Sequence, residues 1–363
     1  MKDVIHIITT ISMGGAEKQL LTLVREQVKS GRIVKVIYLK GKPELSDLFL
    51  KSGAEVIDEF ANMNPLVQAF LIKRYFGMQD KCLVHAHLPR AELFGTLAPK
   101  RMKIILSRHN AEPFFPGSPR IISRVLSRHV TERATYVIAI SEAVKNYLLK
   151  FREVIDPAKI HVIYYGFSHN ENTDLETTEK LQEVKSKNLV IGTVSRLVPQ
   201  KDLGTLLRAF QIFQNSRPEA SLVIVGEGNL DQELRDLSRA LRIESNVIWF
   251  GRTSDVNSII GEFDIFVLTS LYEGFGLVLL EAMANNVPIV AARNSAIPEV
   301  LGRNYEGLFE TGNFKQLADL LELSLNSDQN TRMKKYLSER LQNFQPDRMR
   351  IKVDEIYLQM EMP

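Results

Sequence analysis

The chain has 363 residues, 45% of them apolar and 25% charged, with a net charge of +3. These proportions fit a globular protein of about two domains and exclude collagen-like, wholly disordered and membrane-embedded classes. The single cysteine, Cys82, can form neither an internal disulfide nor a cysteine-rich zinc site, which fits a reducing compartment.

The small net charge conceals an asymmetry. Residues 1–168 hold 25 Lys and Arg against 15 Asp and Glu, whereas residues 169–363 hold 21 against 28. A basic half joined to an acidic half suggests two units with different partners. Asp3 and His6 interrupt any leader-like apolar core at the N-terminus, and no run approaches the roughly 20 apolar residues of a spanning helix. A cytoplasmic location is expected, with no nucleic-acid partner.

The first half alternates apolar runs with helical patterns. Val4–Thr9 reads as a strand, Gly14-Gly15 as a turn, and Ala16–Ser30 as a helix with Leu20, Leu21, Val24 and Val28 on one face. Strand candidates follow at Val34–Leu39, Leu83–His85, Lys103–Leu106, Tyr136–Ile140 and Ile160–Ile163. This alternation predicts an α/β architecture, a doubly wound parallel sheet with helices on both faces. Residues 169–188 are mostly polar and break the pattern, so the linker is placed there. The alternation restarts with strands at Leu189–Val194, Ser221–Val225, Val247–Phe250, Ile265–Leu268 and Pro288–Ala291, and helices at Leu203–Asn215, Leu230–Leu241 and Leu277–Asn285. The expected domains are therefore 1–168 and 189–346, followed by a C-terminal helix over 347–363. That helix carries Met349, Val353, Ile356, Tyr357 and Met360 on one side. Two Rossmann-like lobes would leave an interdomain cleft, and ligands of open α/β sheets bind beyond the carboxyl ends of the strands.

Four segments can carry chemistry. Gly14-Gly15-Ala16-Glu17 joins a strand to a helix, where backbone N–H groups and the helix dipole can receive an anion; a plain tight turn is the alternative. Arg196 and Lys201 follow a strand and can converge on a diphosphate, stabilising charge on a leaving group; a solvated loop with Lys201 capped by Asp202 is the alternative. Glu273-Gly274-Phe275-Gly276-Leu277 precedes a helix that contains Glu281. Its glycines expose N–H groups to an anion, and its two carboxylates suit sugar hydroxyls. His85-Ala86-His87 and His109 end strands of the first half. Their spacing is poor for a structural zinc site, and His109, between Arg108 and Asn110, is the better candidate for polarising a hydroxyl or shuttling a proton.

Together these segments, above all the pair of glutamates with seven residues between them, resemble glycosyltransferase family 4. The resemblance implies the GT-B fold and a retaining, metal-independent hexosyltransferase that uses a nucleotide sugar, with UDP ahead of GDP, and needs no cofactor. It implies that Arg196 and Lys201 hold the donor diphosphate and that Glu281 binds the ribose. Glu273 would contact the donor sugar, backed by Gly274, Phe275, Gly276 and Leu277, while Gly14 and Gly15 would approach the diphosphate and His109 would act as the catalytic histidine. Two departures stand out: Ala296 in Ser295-Ala296-Ile297-Pro298-Glu299, and Asn285-Asn286 where glycine is common. Asn tolerates a left-handed backbone.

The competing readings are a nucleotide-sugar epimerase of the same architecture and a non-catalytic nucleotide-sugar-binding subunit. The acceptor is expected to be a saccharide or a lipid-linked one in envelope polysaccharide or glycolipid assembly. Arg120, Arg124, Arg128 and Arg133, interleaved with Ile121, Ile122, Val125, Leu126 and Val130, form a basic amphipathic segment. Such a segment can rest on anionic lipid, or bury its apolar face in the core and leave a solvated basic face.

Overall fold

The structure, a computed structural model, describes residues 3–80, 82–115, 117–168, 181–186, 188–253 and 255–361. Most of the expected linker, 169–180 with 187, lies outside the described residues. The chain forms two compact α/β units: Met1–Ser168 with Phe344–Pro363, and His169–Asn343.

Unit 1 is built on seven strands: β1 (Val4–Ile8), β2 (Val34–Tyr38), β3 (Glu55–Ile57), β4 (Leu83–His87), β5 (Lys103–Arg108), β6 (Tyr136–Ala139) and β7 (Ile160–Val162). Their order is β3-β2-β1-β4-β5-β6-β7, and every pairing is parallel. Helices α1 (Gly15–Lys29), α2 (Ser46–Lys51), α3 (Pro65–Met78), α4 (Pro89–Gly95), α5 (Arg120–Arg133) and α6 (Glu142–Lys150) join them. β1 and β4 are buried along their whole length, which is why their sequences are nearly continuous apolar runs rather than alternating ones.

Unit 2 has strands β8 (Val190–Val194), β9 (Ser221–Val225), β10 (Val247–Gly251), β11 (Ile265–Leu268), β12 (Ile289–Ala292) and β13 (Leu308–Phe309) in the order β10-β9-β8-β11-β12-β13, again all parallel. Its helices include α7 (Leu203–Ser216), α8 (Asp231–Ala240), α9 (Val256–Gly261), α10 (Leu277–Ala284), α11 (Ile297–Leu301), α12 (Phe314–Leu325) and α13 (Ser327–Leu341).

Each sheet reverses its winding once, between β1 and β4 in unit 1 and between β8 and β11 in unit 2. At such a switch point the flanking loops diverge and leave a crevice at the carboxyl edge. The loops that leave β8 and β11 carry Arg196–Lys201 and Glu273–Leu277.

The chain returns to unit 1 as α14 (Pro346–Glu361), which packs against α1. Met349, Val353, Ile356, Tyr357 and Met360 are buried. The fully buried Arg32 side chain donates to Asp354 at 2.9 Å and lies over the Tyr357 ring. A buried charge left without its partner is costly, so this pair fixes the position of α14.

The helix α5 turns the reverse way from its apolar pattern. Ser123, Ser127, Val130 and Thr131 face inward, while Ile121, Ile122 and Val125 are 51–68% exposed. The cause lies beneath it. Buried Arg108 reaches Glu153 and Ser127 at 3.0 Å, Ser127 donates to Glu153 at 2.8 Å, and Thr131 donates to the Glu153 carbonyl at 3.0 Å. Unmade hydrogen bonds in that buried polar cluster would cost more than leaving three aliphatic side chains in water.

Candidate active site

In unit 2 the loop after β8 makes a short 3-10 turn over Pro199–Lys201, and Asp202 then takes a left-handed conformation (φ +44°) before α7. The Asp202 carboxylate accepts from Thr205 at 2.7 Å. Lys201 is not capped by it. Instead its Nζ meets Glu273 Oε1 at 2.5 Å, with both side chains largely buried (13% and 10% exposed). Ser270 donates to the same oxygen at 2.6 Å.

The two loops are stitched together. Leu271 N–H donates to the Gln200 carbonyl, Gln200 Nε2 to the Tyr272 carbonyl, and Thr269 to the Lys201 carbonyl, at 2.7–2.9 Å. Arg196 is exposed on the same loop and donates to Gln200 Oε1 at 3.2 Å. Lys201 and Glu273 are thus in direct contact, while Arg196 is bonded to Gln200, which in turn bonds the Tyr272 carbonyl.

Helix α10 begins at Leu277 with Gly276 as its N-cap at φ +87°, a conformation that glycine adopts without steric cost. Phe275 is buried, anchoring the turn, and Gly274 and Leu277 are half-buried. Glu281 is half-buried inside the helix, beside buried Leu279, Leu280, Ala282 and Met283. Ala296 lies in the ordinary right-handed region, so the missing glycine costs nothing there. Its neighbour Ser295 takes the positive φ (+51°) and donates to the Glu273 carbonyl at 2.8 Å. Asn286 also adopts a left-handed conformation (φ +55°).

Sequence reasoning missed Gly226 and Gly228. A Cβ on either would stand 1.9 Å from the Ser195 carbonyl oxygen or 2.2 Å from that of Leu197. Leu197 N–H also donates to the Glu227 carbonyl at 2.9 Å. The loop after β9 therefore presses against the loop that carries Arg196. Two glycines one residue apart directly after a strand were the available signal.

In unit 1, Gly14 caps α1 and Gly15 is its first residue. Neither takes a positive φ. A Cβ on Gly14 would meet the Glu17 carboxylate at 2.3 Å. Glu17 is buried, accepts from Thr10, and so places negative charge at the helix start, where the dipole favours it.

His85 and His87, read from the sequence as strand-end residues, are buried, at 0% and 2% exposure. The reason is α14, whose Tyr357 hydroxyl bonds His85 Nδ1 at 2.6 Å. His109 is half-buried, with Nε2 on His87 Nδ1 at 3.2 Å and Nδ1 on the Tyr165 hydroxyl. Burial holds all four histidines neutral. It pushes His6 down to about 4 and His109 to about 3, and both His85 and His87 well below the usual imidazole range. An imidazole so hard to protonate is a poor proton shuttle, so the geometry leaves His109 a hydrogen-bonding role. His6, His85 and His87 offer nitrogens within 4.8 Å of one another, the spacing of a metal cluster. All six of those nitrogens already have protein partners.

Two family models match the chain, one on each unit: "Glycosyltransferase Family 4" over residues 13–171 and "Glycosyl transferases group 1" over 175–340. The chain belongs to the family 4 glycosyltransferases, and it is an enzyme of that class with the GT-B fold. It is similar to the capsular polysaccharide biosynthesis glycosyltransferase CapM of Staphylococcus aureus (25% identity, 74% of this chain and 73% of that one). It is also similar to an Escherichia coli UDP-Gal:alpha-D-GlcNAc-diphosphoundecaprenol alpha-1,3-galactosyltransferase (26% identity, 58% and 57%). Anabaena HepE, solved in complex with UDP and glucose, shares the fold with a TM-score of 0.80 at 22% identity, over 98% of this chain and 99% of that one.

The Lys201–Glu273 contact predicts energetic coupling. Lys201→Met leaves a buried carboxylate with only Ser270, and should cost more stability alone than in a Glu273→Gln background. A double-mutant cycle by urea denaturation should give a coupling of roughly 0.5–3 kcal/mol; additivity would contradict the pair.

The buried histidines predict acid sensitivity. Unfolded histidine protonates near 6.5, whereas folded His6 and His109 resist to about 4 and about 3. The unfolded state therefore binds more protons in this window. Stability present above pH 6.5 is lost as pH falls, by about 1.4 kcal/mol per unit for each histidine. Denaturation of the wild type and of His109→Gln between pH 7 and 4 should show a shallower slope in the variant; equal slopes would count against the assignment.

Proposed function

We propose that this glycosyltransferase moves a hexose or N-acetylhexosamine from a UDP-sugar, with retention and without a metal ion. The acceptor is a lipid-linked or saccharide one in envelope polysaccharide or glycolipid assembly. The observation that carries the reading is the contact between Lys201 and Glu273, made by two loops at the switch point of the unit 2 sheet.

A departing nucleoside diphosphate needs positive charge, and Lys201 and Arg196 supply it from one loop. The N–H groups around Gly274, Phe275, Gly276 and Leu277, at the start of α10, add partial positive charge. Glu281 takes the ribose hydroxyls, and Glu273, held by Ser270 and Lys201, the donor sugar. From unit 1 the same reading assigns Gly14 and Gly15 to the diphosphate and His109 to a sugar hydroxyl. Family membership favours transfer over epimerisation and over a non-catalytic binding subunit. The names of the Escherichia coli and Anabaena relatives support UDP as the nucleotide, and the CapM likeness supports an envelope polysaccharide.

The acceptor reading includes contact with an anionic membrane. Ile121, Ile122 and Val125 are exposed among Arg120, Arg124 and Arg128 on α5. Helix α4 packs against α5, and its Arg90 reaches Gln68 of α3 at 2.8 Å. Helix α4 thus touches both α5 and α3, and α3 adds Leu66 (82% exposed), Phe70 (66%), Lys73 and Arg74. Aliphatic side chains ringed by cations fit an anionic bilayer surface. Among the described residues no helix is long and apolar enough to cross a membrane.

The test is transfer from a panel of nucleotide sugars to lipid-linked and saccharide acceptors, in EDTA and on anionic vesicles. Acceptor-dependent UDP release that survives EDTA is expected. Lys201→Ala and Glu281→Ala should nearly abolish it, and Ile121→Ser/Val125→Ser should weaken vesicle pelleting at low salt. Full activity in both site variants would overturn the site. A metal requirement or unchanged pelleting would overturn the corresponding part of the reading.

A further inference from the structure

The carboxyl edge of the unit 1 sheet holds a continuous buried hydrogen-bonded relay. His6 on β1 pairs in register with His85 on β4, and His87 is two residues further along β4. His6 Nε2 lies 2.8 Å from Gln27 Oε1, and His6 Nδ1 lies 3.0 Å from His87 Nε2. His87 Nδ1 lies 3.2 Å from His109 Nε2, and His109 Nδ1 meets the Tyr165 hydroxyl. A branch runs from Gln27 Nε2 to the Tyr357 hydroxyl at 3.4 Å, to His85 Nδ1 at 2.6 Å, and from His85 Nε2 to Ser107 at 2.7 Å. Gln27, His6 and His85 are 0% exposed.

A neutral imidazole has one donor and one acceptor, so a chain of them can run in only one direction at a time. Gln27 decides which. Its carbonyl oxygen can only accept, so His6 carries its proton on Nε2 and leaves a lone pair on Nδ1. His87 must then donate from Nε2, His109 must donate from Nε2, and Tyr165 must donate its hydroxyl proton to His109 Nδ1. On the branch, the Gln27 amide donates to the Tyr357 oxygen, while His85 bonds the Tyr357 and Ser107 hydroxyls, either of which can donate or accept. One carboxamide thus fixes the tautomer of three histidines, His6, His87 and His109.

We propose that Gln27 is a positioning residue for His109. It directs the relay so that His109 presents a lone pair at Nδ1 and has no free N–H. The ligand group that His109 can receive is therefore a hydroxyl that donates, taking the place of the Tyr165 hydroxyl. This inference rests on the assignment of His109 to a sugar hydroxyl.

The experiment reads the tautomers directly, by long-range ¹H–¹⁵N correlation spectra of ring-labelled protein at neutral pH. His6, His87 and His109 should each be protonated at Nε2 alone. In Gln27→Leu the acceptor is gone, so His109 should populate the Nδ1–H form, with kcat for transfer down about tenfold and the donor KM unchanged. Gln27→Glu, whose carboxylate accepts the same N–H, should restore both the spectrum and kcat. Nδ1–H on His109 in the wild type, or an unchanged tautomer and kcat in Gln27→Leu, would overturn the proposal. If Gln27→Leu does not fold, the wild-type spectrum decides alone: Nε2–H supports the direction of the relay, and Nδ1–H refutes it. The spectra need no substrate, so absence of transfer in the wild type would refute the functional reading and leave the relay to the spectra.

Discussion

A lysine and a glutamate held 2.5 Å apart in a largely buried place require compensation from everything around them. Neither charge is well hydrated, so each depends on the other and on the hydrogen bonds that hold their two loops. Those bonds run from Thr269, Leu271 and Gln200, and they bring the segments after β8 and β11 together. The parallel sheet makes this possible, because both strands end at the same edge beside the switch point. Gly226 and Gly228 press a third loop against the first, and Ser295 ties a fourth to Glu273. Under the proposed function a diphosphate binds here because the site holds cationic side chains and helix-start N–H groups in fixed positions.

Unit 1 meets a different demand. Its polar groups lie deep and are neutralised by pairing or by burial rather than by solvent. Arg108 pairs with Glu92 and Glu153 and bonds Ser127 beneath α5, and Arg32 pairs with Asp354 beneath α14. The histidines are kept neutral, and Gln27 places the protons of His6, His87 and His109. These buried networks determine the outer surface as well. By drawing the serine and threonine face of α5 inward, Arg108 and Glu153 turn Ile121, Ile122 and Val125 toward solvent.

Much of the architecture was legible in the sequence because parallel strands buried on both faces are short, aliphatic and followed by glycine or by helix signals. The strands Ile265–Leu268 and Ser221–Val225 appear within their predicted bounds, and Gly276 occupies the left-handed position that a glycine before a helix announces. Strand β3 was not legible, since Glu55–Ile57 is three residues long and half exposed. Helix α3 was not either, because its apolar side chains point outward as well as inward. The contact between Lys201 and Glu273 joins residues 72 positions apart, and no local pattern encodes which partner a lysine chooses. His6 read only as an interruption of a leader-like apolar core, and only the pairing of β1 with β4 reveals that it lies beside His85. The direction of α5 was open in the sequence, because it depends on a buried arginine from another strand.

The central claim is that the Lys201–Glu273 locus is where a sugar nucleotide places its diphosphate. A crystal structure grown with UDP tests it most directly. The account predicts pyrophosphate oxygens within hydrogen-bond distance of Lys201 Nζ, the Arg196 guanidinium and the backbone N–H groups at the start of α10, with the ribose on Glu281. UDP bound elsewhere in unit 2, with Lys201 and Glu273 still paired and untouched by the ligand, would contradict it.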